Sequence, residues 1–140
     1  MIIVAAVVGQ FGKQIARNTF GGGNNQNTGS SLESIQLEVA KTLNQDLPKR
    51  LDDNTVFQSA EANGKVLTYR YSFTFPLEEY DMEVFTKNRE LLLAQVCSND
   101  NMYFSMGYGA AYNYHYTDVN GALVGEVYIS KGECDAGPYR

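Results

Sequence analysis

The two cysteines of this 140-residue chain, Cys97 and Cys134, constrain its fold more than any other feature. An even, minimal cysteine count in a small domain favours one disulfide over a metal site or a reactive thiol. Such a bond would stabilise the domain by about 3–4 kcal/mol, because it closes a long loop in the unfolded chain. We therefore predict a disulfide-closed domain outside the reducing cytosol. The alternative is a cytosolic protein with two buried free thiols.

Composition indicates a single globular domain. The hydrophobic share is 44%, the charged share is 19% and the formal net charge is −5, so wholesale disorder is excluded. A general nucleic-acid binder would carry a basic face, and we therefore expect no nucleic-acid partner. The sequence contains neither the ligand spacing of a zinc site nor a phosphate-binding loop, and we expect no cofactor and no metal.

Residues 1–20 form a segment that is first apolar and then amphipathic. It opens with the unbroken apolar run MIIVAAVV, followed by Lys13 and Arg17, whereas a bilayer span needs roughly 20 apolar residues. We interpret the segment as the end of a truncated membrane anchor that tethers the protein to the inner membrane. The alternative is a short buried segment. Residues 21–30, rich in glycine and asparagine, are predicted to be a linker.

Two helices are predicted within a single α+β domain over residues 31–135, which leaves 136–140 as a tail. Apolar residues at spacings of three and four predict a helix over 31–47, with Ser30 and Glu33 as a capping box. Proline favours the first turn of a helix, so a second helix is predicted from Pro76 to about Val96. The side chains predicted to face inward from this second helix are those of Leu77, Val84, Leu91, Leu92 and Val96. A short helical turn closed by Gly107 is expected after it.

Four strands complete the predicted domain as two hairpins, over residues 55–75 and 111–130. Each hairpin contains an Asn-Gly pair, beginning at Asn63 and at Asn120, the strongest short signal for a tight turn. Between residues 66 and 75 apolar and polar side chains alternate, as in a strand with one buried and one wet face. The order α-β-β-α-β-β predicts one four-stranded antiparallel sheet with two helices packed on one face.

The candidate functional residues lie on the strand over 111–117. Tyr112, Tyr114 and Tyr116 alternate along one face. If that face is the core, they are packing residues; if it is open, they form with His115 a partner surface suited to protein binding. The core interpretation is favoured, because the strand over 66–75 also has tyrosines among its inward residues. His115, the sole histidine, could act as a general base, but no nucleophile stands at a recognisable spacing from it, so we do not expect an enzyme.

The C-terminal half of the chain resembles a known group of proteins. A helix ends in the run CSND at Cys97, a tyrosine-rich strand leads into DVNG at Asp118, and a strand ends near Cys134. In these features the chain resembles small, disulfide-closed envelope domains of Gram-negative bacteria and is similar to the pilotin lipoproteins of type II secretion. The resemblance covers about residues 31–135 and implies the cysteine pair. Pilotins carry a lipobox cysteine near the N-terminus, which this chain lacks.

The sequence thus predicts a non-catalytic, periplasmic or membrane-tethered domain that binds another protein as an accessory to envelope or secretion machinery. One alternative is an immunity protein that neutralises an exported toxin, since a net charge of −5 would suit a basic effector. Another is an enzyme that uses His115. A last alternative, an intracellular structural module, would require both cysteines to be reduced.

Overall fold

A computed structural model describes residues 31–139 as an α+β domain with a mixed five-stranded sheet. The predictions for residues 1–20 and 21–30 lie outside the described residues. The helices, in chain order, are α1 (Leu32–Asn44), α2 (Met82–Ser98), α3 (Asp100–Met106) and α4 (Lys131–Ala136), with a 3-10 turn over Leu77–Glu79. The strands are β1 (Lys49–Asp52), β2 (Thr55–Asn63), β3 (Val66–Phe73), β4 (Ala111–Thr117) and β5 (Leu123–Ile129).

The strands lie side by side in the order β1-β2-β3-β4-β5. All neighbours pair antiparallel except β3 and β4, which pair parallel. The prediction of four antiparallel strands and two helices was therefore wrong in detail, although the α+β class was right. The parallel pair arises because α2 and α3 connect β3 to β4, so the chain returns to the end of the sheet where β3 began. Strand β1 was not predicted from the sequence, because its four residues are half-buried or exposed and buried and exposed side chains do not alternate along it.

Both predicted hairpins are present, but the first turn lies one residue later than expected. Asn63 pairs with Val66, so the two loop residues are Gly64 and Lys65. Gly64 has φ +63°, and glycine at the first loop position is the requirement of a type II′ turn. The second connection also depends on a glycine, because Gly121 has φ +87°. The Asn-Gly pairs therefore identified both connections, but they placed the first turn one residue too early.

Helix α1 is capped and docked by short polar side chains. The Ser31 hydroxyl accepts a hydrogen bond from the backbone N–H of Ser34, which satisfies one of the free donors of the first turn. At the other end, the Asn44 side chain donates to the backbone oxygen of Ala60 and accepts from its N–H, both at 2.8 Å. The helix therefore ends three residues before Leu47, where the sequence placed its end, and is held on β2.

The second predicted helix begins later than Pro76. Pro76 instead precedes the 3-10 turn, and α2 starts after Asp81, whose carboxylate accepts from the N–H of Glu83. Leu93 is buried in place of Leu91, which is exposed. Leu92 and Val96 are buried as predicted. The side chains buried by the helices join those of the sheet in a single hydrophobic core.

Candidate functional site

The alternating tyrosines of β4 belong to the core. Tyr112, Tyr114 and Tyr116 are all buried, so the alternative that made them a partner surface was wrong. The parallel register places Tyr69 beside Tyr114 and Tyr71 beside Tyr116. These rings stack at centroid distances of 4.8 Å and 5.2 Å, in the offset range that aromatic pairs prefer. The sequence interpretation of these residues as packing residues is the correct one.

The buried tyrosine hydroxyls are held neutral. Burial, together with the neighbouring phenols, raises the pKa of Tyr69, Tyr71 and Tyr114 well above the ordinary value. Among residues 31–139, no hydrogen-bond partner reaches these three hydroxyls. They lie beneath the surface as uncharged groups, and their aromatic faces provide the stacking that joins β3 to β4.

Tyr112 has a different role, because its hydroxyl reaches α3. It lies 2.6 Å from the hydroxyl of Ser105, which in turn donates to the backbone oxygen of Met102 at 2.6 Å. Ser105, Met102 and Met106 form the buried side of α3. Burial raises the pKa of Tyr112, although its hydrogen bond with Ser105 opposes that rise. This contact fixes a seven-residue helix, too short to be stable alone, against the sheet.

His115 points to the opposite face of β4, with polar neighbours from both adjacent strands. Its Nδ1 lies 2.8 Å from Oε2 of Glu126, and the Asn113 amide donates to the same oxygen at 3.1 Å. These two hydrogen bonds, His115 first, lower the pKa of Glu126. On the neighbouring strands Arg70 pairs with Glu61 at 2.7 Å. We call this polar surface the open face; it is a set of partly exposed charge pairs.

No metal centre accompanies these groups in the part of the chain that the structure describes. Over residues 31–139, no three histidine, cysteine, aspartate or glutamate side chains lie close enough together to hold an ion. The DVNG run at Asp118 is a turn, as expected from the sequence. Burial disfavours the charged form of Asp118, but the backbone N–H groups of Leu77, Asn120 and Ala122 donate to its carboxylate, each at 2.8 Å, and lower its pKa overall.

An exposed aromatic groove lies at the end of the domain that contains α3 and the start of α4. Its volume is about 460 Å³. The residues that line it are Asp100, Tyr103, Phe104, Gly107, Tyr108 and Lys131. Phe104 is 54% exposed and Tyr108 is 62% exposed, and their rings meet edge-to-face at 5.3 Å. Contiguous exposed aromatic surface of this kind is a feature of sites that bind a partner.

Both sides of this α3–α4 groove are held in place by polar contacts. The Tyr103 hydroxyl donates to Asp135 at 2.7 Å, and the Lys131 ammonium donates to the other oxygen of Asp135 at 2.5 Å. The hydrogen bond and charge of Asp135 raise the pKa of Lys131. The same ammonium lies 5.6 Å from the centre of the Tyr103 ring, within reach of a cation–π attraction. These contacts link α3 to α4.

The disulfide connects α4, which forms one side of the groove, to the end of α2, which leads into α3. Cys97 and Cys134 are bonded to each other and fully buried. Cys97 lies in the last turn of α2, and α3 follows after one residue, while Cys134 lies within α4. The bond therefore limits how far the two sides of the α3–α4 groove can separate. The predicted bond is present, although its second cysteine belongs to a helix that the sequence analysis had not expected.

Sequence reasoning missed the groove residues, although a signal was present. Asp100, Phe104 and Tyr108 recur at a spacing of four, which places them on one side of a helix. The buried residues of α3 occupy the other side. Because the segment was predicted to be only a short helical turn, no exposed side was assigned to its aromatic residues.

Comparisons with known proteins agree on the fold. No protein-family model matches the chain, and no curated protein matches it. A solved structure of a Pseudomonas aeruginosa protein assigned as secreted is similar, with a TM-score of 0.65, 22% identity, and coverage of 74% of this chain and 92% of that one. No helix within residues 31–139 is both long and apolar enough to span a bilayer.

Two pilotins of type II secretion systems are also similar in structure. The pilotin EpsS of Vibrio vulnificus has a TM-score of 0.59 and 12% identity, covering 74% of this chain and 91% of that one. The pilotin AspS of Vibrio cholerae has a TM-score of 0.56 and 17% identity, and the match covers 74% of this chain and 92% of that one. At these identities the likeness is one of fold. The resemblance to envelope domains and pilotins that the sequence indicated is confirmed at that level.

Proposed function

We propose that this chain is a non-catalytic accessory protein of an envelope secretion machinery, and that it binds a protein partner through the α3–α4 groove. The observation that carries the proposal is the exposure of Phe104 and Tyr108 side by side in a groove of about 460 Å³. Large aromatic side chains contribute much of the binding energy at protein interfaces. Their exposure is otherwise unfavourable, because it leaves apolar surface in water.

The class of partner is suggested by the fold. Proteins with this fold include pilotins of type II secretion, and the proposed partner is therefore a component of such a system. The disulfide between Cys97 and Cys134 suits an oxidising compartment, so we place the protein in the periplasm or elsewhere in the envelope. Attachment to the inner membrane through residues 1–20 is part of the same proposal.

The groove favours a partner with one apolar anchor and charges at its sides. Phe104 and Tyr108 would surround the anchor. Asp100 and the ion pair between Lys131 and Asp135 also lie beside this anchor. Charged groups at the edge of a binding site affect the orientation of the partner and its rate of association more than its affinity. The proposed segment of the partner therefore carries an exposed aromatic or aliphatic side chain with polar neighbours.

The proposal is tested with the substitution Phe104→Glu in the full chain. The envelope proteins of the host's type II secretion system are expressed separately, and their affinities for the wild type and the variant are measured by calorimetry. We expect one of them to bind the wild type and the variant to bind it at least about 30-fold more weakly, the effect of losing an interfacial hot spot.

The matched control is Leu37→Glu, because Leu37 is 60% exposed on α1 and does not line the groove. It makes the same change of charge and should leave the affinity unchanged. If none of the secretion proteins binds the wild type, or if both variants lose affinity equally, the proposal is wrong. Thermal unfolding of both variants separates loss of binding from loss of fold.

A further inference from the structure

The two edges of the sheet differ in how well they resist pairing with another strand. The edge strand β1 has four residues and begins with Lys49 and Arg50, and its register is interrupted after Arg50. Short length, positive charge and a bulge are the usual means by which proteins protect a sheet edge. The edge strand β5 also has an interrupted register, between Leu123 and Gly125. It is longer, however, with the seven residues LVGEVYI, and carries neither lysine, arginine nor proline.

The outer edge of β5 is unpaired in the part of the chain that the structure describes. Within residues 31–139, β4 is its only neighbouring strand, and no backbone bond links Leu123–Ile129 to any other segment. Alternate residues of an edge strand direct their N–H and C=O groups away from the sheet. Two apolar side chains on β5 are also exposed, Leu123 at 53% and Tyr128 at 50%.

We propose that the outer edge of β5 binds an extended segment of a partner protein as a sixth strand. A row of alternating backbone donors and acceptors is complementary to another extended backbone, and main-chain hydrogen bonds supply the affinity in this mode of recognition. Leu123 and Tyr128 would contact side chains of the added strand. The partner's segment is thus defined by its conformation and its alternating pattern.

The position of β5 connects this edge to the α3–α4 groove. Lys131, which lines the groove, lies two residues beyond Ile129, the last residue of β5. The C-terminal end of β5 therefore leads directly into α4, which forms one side of the groove. The inference rests on the proposed function for the identity of the partner, since the same secretion component would supply both the added strand and the apolar anchor.

A partner of different sequence fits this edge better than a second copy of the chain. In a two-fold antiparallel pairing centred on β5, Glu126 would lie opposite its own counterpart. Like charges directly opposite each other in a sheet are destabilising. Each copy also carries a formal charge of −5, which opposes association. A strand with a basic residue opposite Glu126 would avoid this repulsion, and its positive charge would lie beside a carboxylate that His115 and Asn113 already contact.

The experiment uses a defined probe, a capped peptide of alternating threonine and valine with one central lysine, matched in length to the seven residues of β5. Amide hydrogen exchange of the full chain is followed by NMR at millimolar peptide. We expect several-fold slower exchange at alternate residues of β5, cross-strand NOEs from the peptide to β5, and no change at β1. The double variant Leu123→Lys with Tyr128→Lys should raise the dissociation constant about tenfold, whereas Leu37→Lys should not.

Two results would overturn the inference. One is unchanged exchange at β5 in the presence of the peptide. The other is slow exchange at β5 without peptide that increases with protein concentration, together with a dimer in sedimentation, because a second copy would then occupy the edge. The variant Phe104→Glu should retain the protection of β5 by this peptide. Failure of the groove proposal and failure of the edge proposal can therefore be read separately.

Discussion

The α3–α4 groove and the open face of the sheet expose side chains of opposite character. On the open face, charged groups satisfy one another within the sheet, as His115 does with Glu126 and Arg70 with Glu61. In the groove, Phe104 and Tyr108 present aromatic rings to solvent, while the polar groups beside them link α3 to α4. A surface whose polar groups already pair gains little from a partner, whereas exposed aromatic surface gains from burial. The comparison favours the groove as the binding site.

The largest expected effect on this comparison comes from removing the disulfide. The double variant Cys97→Ala with Cys134→Ala should lose about 3–4 kcal/mol of unfolding free energy, because the crosslink closes a loop over a separation of 37 residues. Urea denaturation measures this loss. Binding at the groove should weaken as well, since the bond holds α4 against the end of α2, from which α3 continues after one residue.

The control for this prediction is the reduced wild-type protein, which should match the double variant in stability. The open face should keep its pairs in both, because Arg70 and His115 lie on β3 and β4, away from the crosslink. A loss of less than about 1 kcal/mol would mean that the bond does not constrain the domain as the loop-closure argument requires.

A smaller effect distinguishes two tyrosines of the same strand. Tyr112→Phe should lower the unfolding free energy by about 1 kcal/mol, because it removes the hydrogen bond to Ser105 that fixes α3. Tyr114→Phe should leave stability unchanged or raise it by up to about 1 kcal/mol, since it deletes a buried hydroxyl that no group in residues 31–139 satisfies. Thermal and urea unfolding of the two variants provide the measurement. Equal destabilisation by both would contradict the view that Tyr112 alone supports the groove.

These tyrosines also indicate how far the sequence could predict the structure. The alternation of side chains along β3 and β4 was sufficient to predict these two strands and to identify their buried face, because burial on one side of a sheet imposes a period of two residues. The parallel pairing was not predictable from hairpin signals, since Asn-Gly pairs report only on local turns. The start of α2 was misplaced because Pro76 fits the residue before a 3-10 turn as well as the first turn of a helix.

The candidate site was less predictable than the fold. Phe104 and Tyr108 lie on a helix of seven residues and the turn after it, and in so short a segment a spacing of four is only a weak signal. Their exposure depends on the opposite side of α3 being buried through Ser105 and Tyr112, a contact between elements that local patterns do not encode. By contrast, the cysteine pair was predictable, because two cysteines allow only one intramolecular bond.

The smallest expected effect concerns the open face. Glu126→Gln should lower stability by less than about 0.5 kcal/mol at neutral pH, because the pair with His115 is partly exposed and screened by solvent. The hydrogen bond from His115 lowers the pKa of Glu126, so this contribution is complete above the ordinary value of 4.5 and is lost as the pH falls through the lowered value. Unfolding of wild type and variant between about pH 7 and pH 2 should therefore converge at the acid end. A difference that grows below pH 4.5 would have the wrong sign.

The most direct test of the binding surface is a map of amide chemical-shift changes when the wild-type chain binds its secretion partner. The account predicts that the largest changes lie along α3, at Phe104 and Tyr108, and at Lys131, with Arg70 and His115 little affected. Changes centred on Arg70 and His115, with α3 unperturbed, would contradict it and assign binding to the open face.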